Sequence, residues 1–277
     1  MMIQMFYLLA IFMLGALGTE ELKLSIDELE KAPPSSAVYL NLARSYLSDQ
    51  EEEKAFRIFL SALELEKTES YPMGETETKL YDEAIKLYLN TRPDESEKVS
   101  YQIIEKYGPV LAEHPEYRHL SYIVASSYAN LKLYDPFFIL FARAYQAEPK
   151  HFLAYKALAC IHIKLLERAK TETIRETERN LVISNLENAQ KANPNDFNLY
   201  RIEILFSPIQ NRNERIKRIL NKILALPMIP TRSDALFFTE LAYETKDKEL
   251  ANKMVDKALS SFPGSRVIQQ LRKQHGN

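Results

Sequence analysis

Residues 36–69 read SAVYLNLARSYLSDQEEEKAFRIFLSALELEKTE. Counted from Ser36 as position 1, Tyr39 stands at 4, Leu42 at 7, Ala43 at 8, Tyr46 at 11, Ala55 at 20, Phe59 at 24 and Ala62 at 27. Spacings of three and four place such residues on one face of a helix. Small residues at 8, 20 and 27 suit points where two helices cross closely, where a larger side chain would overpack at about 1–3 kcal/mol. Large residues at 4, 7, 11 and 24 fill the space between one helix pair and the next.

The same register recurs along the chain. Residues 118–151 carry Val124, Ala125, Tyr128, Phe141, Ala144 and Pro149 at 7, 8, 11, 24, 27 and 32, with Phe137 at 20. Residues 78–111 carry Tyr81, Ala84, Tyr88, Tyr101, Ile104 and Pro109 at 4, 7, 11, 24, 27 and 32, with Glu97 departing at 20. Residues 232–265 give Ala251, Ala258 and Pro263 at 20, 27 and 32. Residues 152–196 keep the register if about eleven residues are inserted between their helices, Tyr155, Leu158 and Ala159 preceding the insertion and Leu186, Ala189 and Pro194 following it. Residues 197–230 are the most degenerate copy, with Tyr200, Ile216, Leu220 and Ile223 in place. Pro at 32 ends a second helix, because it lacks an N–H and disfavours a helical residue before it.

This pattern resembles the tetratricopeptide repeat, W-x2-L-G-x2-Y followed by A-x3-F and Pro. The first copy departs from it at position 32, where Lys67 stands. The resemblance implies an all-α fold, a right-handed α-solenoid of stacked antiparallel helix pairs. About six repeats would fill 36–265. Residues 19–35 read as an N-terminal capping helix ended by Pro33-Pro34, and residues 266–277 as a polar C-terminal capping helix, as solenoids need at their ends. Six glycines in 277 residues fit helices joined by short polar corners.

Residues 1–18, MMIQMFYLLAIFMLGALG, are apolar from Phe6 to Leu17 and end in small residues suited to cleavage after Gly18. Three readings stay open: a cleaved signal peptide, an uncleaved membrane anchor of just sufficient length, and a buried helix or misassigned start. The first two place the chain outside the cytoplasm, periplasmic or extracytoplasmic, or tethered facing outward. Without a cysteine near the cut, a lipid anchor is not expected.

A formal net charge of −2 argues against a nucleic-acid partner. The single cysteine, Cys160, forms no intramolecular disulfide and offers no cysteine-based metal site. Five scattered histidines, His114, His119, His151, His162 and His275, show no ligand spacing on one helix face. His162, at position 11, is expected at the core or its boundary. No phosphate loop, nucleophile elbow or Ser/His/Asp arrangement is evident, so neither catalysis, cofactor nor metal is expected.

In the resembled family the first helices line a concave surface. Carried over by position, Arg44, Lys79, Lys86, Asn90, Tyr122, Asn130, Lys156 and Lys164 would form one strip there. Its basic character runs against its surroundings, for residues 19–115 hold 11 Lys and Arg against 21 Asp and Glu. The expected activity is therefore a non-enzymatic protein-binding scaffold that takes a partner peptide or helix, acidic or C-terminal, in the groove, with envelope assembly or secretion as the setting. A cytosolic secretion chaperone or co-chaperone is the alternative, and an α-toroid hydrolase a remote one. The insertion near 165–179 is expected to lengthen both flanking helices, with Thr173 and Glu176 capping the second.

Overall fold

The computed structural model describes residues 26–65, 72–91, 93–207 and 211–275; the 1–18 leader lies outside the described residues. The described residues hold fourteen α-helices and no strand. They are α1 Ile26–Lys31, α2 Ser36–Ser48, α3 Glu52–Glu64, α4 Glu75–Leu89, α5 Ser96–Glu113, α6 Leu120–Asn130 and α7 Tyr134–Ala147. There follow α8 Phe152–Arg168, α9 Glu172–Ala192, α10 Phe197–Phe206, α11 Arg212–Leu224, α12 Arg232–Glu244, α13 Lys248–Ser261 and α14 Arg266–His275. The chain forms two compact units divided after Glu178, within α9.

Most register positions behave as their chemistry requires. Ala43, Ala55, Phe59, Ala125, Phe141, Ala144, Ala251 and Ala258 are all buried. An independent signature confirms the period. Only three described non-glycine residues have positive φ, Gln50, Lys132 and Lys246, and all three stand at position 15 of their repeats. Each forms the corner between a first and a second helix. Glu51 N–H donates to Tyr46 O (2.8 Å) and Leu133 N–H to Tyr128 O (2.9 Å), the same six-to-one bond closing two different pairs.

The second repeat departs from its expected register. Tyr101 is 56% exposed, whereas Ile103, Tyr107 and Leu111 are buried. Tyr107 lies 26 residues after Tyr81, where Phe59 lies 20 after Tyr39, so six extra residues separate α4 from the packed face of α5. The terminating proline is then Pro115, and Pro109 sits inside α5. A proline there forfeits one backbone hydrogen bond, but the burial of Tyr107 and Leu111 on either side carries the helix across it. The insertion does lengthen both helices: α8 has 17 residues and α9 has 21. Its cap differs from expectation. Ile174 N–H donates to Thr171 Oγ1 (3.3 Å), so the cap of α9 lies two residues before Thr173.

The larger departure lies in the order of stacking within the first unit. A regular array packs each pair on its sequence neighbour. Here α4 and α5 pack on α6, α6 packs on α7 and α8, and α2 and α3 dock on α7 and α8. Phe59 stacks on Phe138 with ring centroids 4.3 Å apart and meets Phe137 and Phe141, while Phe56 lies edge-on to Tyr134 and Phe138. Ion pairs rim this aromatic seam: Arg44 Nε with Asp135 Oδ1 (2.6 Å), Arg57 NH1 with Glu178 Oε1 (3.4 Å), and Arg168 with Glu52. Phe137, large where the first and last repeats have Ala55 and Ala251, supplies part of the surface that α3 covers. The second unit keeps the regular order, α11 packing on α12 and α13 and α13 on α14, around Phe197, Tyr200, Leu220, Phe238 and Met254.

Candidate functional site

The first helices that pack side by side in the first unit are α4, α6 and α8. Their spacing is fixed by buried polar contacts as well as by apolar ones. Glu77, buried in the first turn of α4, accepts the backbone N–H of His119 (2.8 Å) and of Leu120 (3.3 Å). These are free donors at the start of α6, which has no side-chain cap of its own. A negative charge at a helix N-terminus also meets the positive end of its dipole. Further along, Tyr81 Oη lies 2.6 Å from His151 Nε2, and His151 Nδ1 accepts from Leu153 N–H (3.2 Å), which caps α8. The Nδ1 acceptor role places the imidazole proton on Nε2, facing the Tyr81 oxygen. Burial first, then the neighbouring His119, pull the pKa of His151 down to about 4, so it is neutral near pH 7. The histidines set aside as scattered thus meet: His119 and His151 are 32 residues apart, nearly one repeat, and their rings lie 6.5 Å apart. That near-repeat spacing was the available signal.

This packing sorts the eight residues of the expected strip. Lys79 and Lys86 are exposed on α4, Asn90 is exposed at its C-terminal cap, and Asn130 is exposed at the end of α6. Asn130 Nδ2 donates to Ser100 Oγ (3.4 Å), towards α5. Lys156 and Lys164 are half-buried on α8. The Lys156 ammonium lies 5.3 Å from the centre of the Tyr88 ring and ties α8 to α4, while Lys164 pairs with Glu167 at 3.6 Å.

Two residues leave the strip. Tyr122 is fully buried, stacked on His151 (4.9 Å between centroids) and edge-on to Phe141, and its hydroxyl donates to Glu148 O (2.7 Å). The third repeat has packed helices on both sides, so position 5 of α6 faces protein. Burial accordingly raises the Tyr122 pKa far above that of a free phenol. Arg44 lies on α2, which has docked on α7, and its guanidinium is committed to Asp135. Of the other six, Lys79 and Lys86 share an exposed face of α4, and Lys156 is the one with a contact that joins α8 to α4, through Tyr88.

Elsewhere the polar clusters are structural in character. His162 Nδ1 lies 2.7 Å from Glu178 Oε2, and Arg57 reaches the same carboxylate through Oε1. In the second unit the fully buried Glu203 accepts from Gln190 Nε2 (2.6 Å) and Arg215 Nε (3.2 Å). Arg201 binds Asp234 through Nε (3.0 Å) and NH2 (2.7 Å). Among the described residues no three His, Cys, Asp or Glu side chains group where they could hold a metal ion. Among the same residues no helix is long and apolar enough to cross a membrane.

No protein-family model matches the chain, and no curated protein matches it in sequence. Among solved structures it is similar to a thermophilic TPR protein from Thermus thermophilus, with 18% sequence identity and a TM-score of 0.45. That match covers 72% of this chain and 98% of the other.

Proposed function

We propose that the chain is a non-enzymatic scaffold that holds an acidic peptide or helix of a partner protein along α4 and α8. The observation that carries the reading is the placement of Lys79 and Lys86 on an exposed face of α4, with Lys156 of α8 over the Tyr88 ring of α4 and Lys164 about two turns further along α8. Lys79 and Lys86 are seven residues apart, two helical turns, so they share a face at a separation of roughly 10 Å. The 11 basic against 21 acidic residues of 19–115 make this basic strip a local exception. Such a field draws carboxylate-bearing segments and repels cationic ones. The leader fits an exported or tethered setting, and the partner would then be met outside the cytoplasm.

Single surface charge pairs are worth about 0–1 kcal/mol, so the strip acts by number. The test is binding of fluorescent acidic, neutral and basic peptide libraries to the wild type and to a Lys79→Glu, Lys86→Glu, Lys156→Glu, Lys164→Glu variant. Acidic peptides are expected to bind the wild type, more weakly as salt shortens the screening length from about 10 Å at 0.1 M. The variant is expected to keep its helical circular dichroism and lose them. Equal binding by both proteins would refute the reading.

A further inference from the structure

We propose that the face of α7 and α8 that receives α2 and α3 is also the chain's self-association surface, and that its occupant in trans is the α1–α3 arm of a second copy. The reading is independent of the basic strip.

Four observations carry it. First, the arm is closed upon itself. α1 packs on α2 through Leu29 and through the bond from Tyr46 Oη to Glu30, and α2 packs on α3. It is therefore a unit that can move whole. Second, its dock is remote in sequence: Arg44 meets a residue 91 positions away, Glu52 one 116 away and Arg57 one 121 away. Nothing local determines which copy's dock is filled. Third, α4 and α5 find their own neighbours on α6, so the body does not need the arm to order that pair. Fourth, residues 65–74 alone connect the arm to α4.

Exchange between two copies keeps every contact of the seam. The stack of Phe59 on Phe138, the edge-on Phe56 and the three rim ion pairs form identically whichever chain supplies the arm. The closed monomer and the exchanged dimer then differ only in chain connectivity and in the cost of association, so concentration decides between them.

The rim charges make this testable with two variants of the full chain. One reverses the arm, Arg44→Asp with Glu52→Arg; the other reverses the dock, Asp135→Arg with Arg168→Glu. Alone, each opposes like charges at two pairs in both the closed and the exchanged form. Refolded together at high concentration, they form a mixed dimer in which each arm meets a dock of opposite sign. Native mass spectrometry is expected to show the mixed dimer in about tenfold or greater excess over either homodimer. Monomers alone, or dimers in random proportion, would overturn the proposal. If either variant fails to fold, the wild type decides. Isotopically light and heavy chains are refolded together and cross-linked between Lys54 and Lys170, which flank the Glu52–Arg168 pair. Mixed-label cross-links in the dimer fraction support exchange, and same-label cross-links alone refute it.

Discussion

At the scale of single residues, the aromatic register carries the firmest energetic consequences. Phe59 is fully buried against Phe137, Phe138 and Phe141, so Phe59→Ala is expected to cost about 3–5 kcal/mol in a denaturant melt. The corrected second repeat gives a paired prediction. Tyr107→Ala should cost a similar amount, roughly 3 kcal/mol or more, while Tyr101→Ala should stay within about 0.5 kcal/mol. Equal losses at the two tyrosines would restore the uninterrupted register. His151 gives a pH signature. Its folded pKa, about 4, lies below the ordinary 6.5, so the unfolded chain binds the proton more readily between those values. The stability that the neutral ring secures is complete above pH 6.5, declines as pH falls towards 4 and is flat below. The loss should be about 3 kcal/mol in total, read from unfolding free energy measured across that pH range and absent in His151→Phe. Phe59 and Phe141 were legible because a helical period exposes them directly. Tyr122 was not, because its position is solvent-facing only if the neighbouring pairs leave it so, and that is decided by tertiary packing.

At the scale of the element, the corners repeat more faithfully than the helices. Gln50, Lys132 and Lys246 hold the left-handed conformation at position 15 with side chains that tolerate it poorly. Replacing Lys132 by Gly removes the Cβ clash, and thermal melts are expected to show about 0.5–1 kcal/mol of stabilisation, with all three together adding. No glycine marks these corners, which is why they could not be placed from the sequence. The start of α9 was misplaced for a different reason. Thr173 with Glu176 satisfies a capping box on paper, but Thr171 stands one turn before Ile174 and takes the role. Thr171→Ala is therefore expected to fray the first turn of α9 at a cost of about 0.5–2 kcal/mol, while Thr173→Ala does little. Local hydrogen exchange at Ile174 would distinguish them. The inserted segment is also more than added length, for Arg168 at its start reaches Glu52 on α3.

At the scale of the whole molecule, helix content and pairing were legible because they follow from local periodicity, whereas the docking of α2 and α3 was not. Phe137 was visible as a large residue where a small one is usual, but one sequence does not say which helix covers it. Displacing the first pair from the layer of first helices takes Arg44 out of the expected basic strip and makes it a rim contact. The connectivity also imposes a schedule on synthesis. The ribosome completes α3 at Glu64 but does not complete its dock until Arg168. Chains grow at roughly 5–20 residues per second, so Phe56 and Phe59 wait on the order of 5–20 s for the surface that will cover them. Nascent chains stalled before Tyr134 should be cut by chymotrypsin at those two residues, and chains stalled well beyond Glu178 should be protected. The arm spends the interval as an apolar helical hairpin in search of a surface, and on a crowded polysome the first one within reach is as readily a neighbour's as its own.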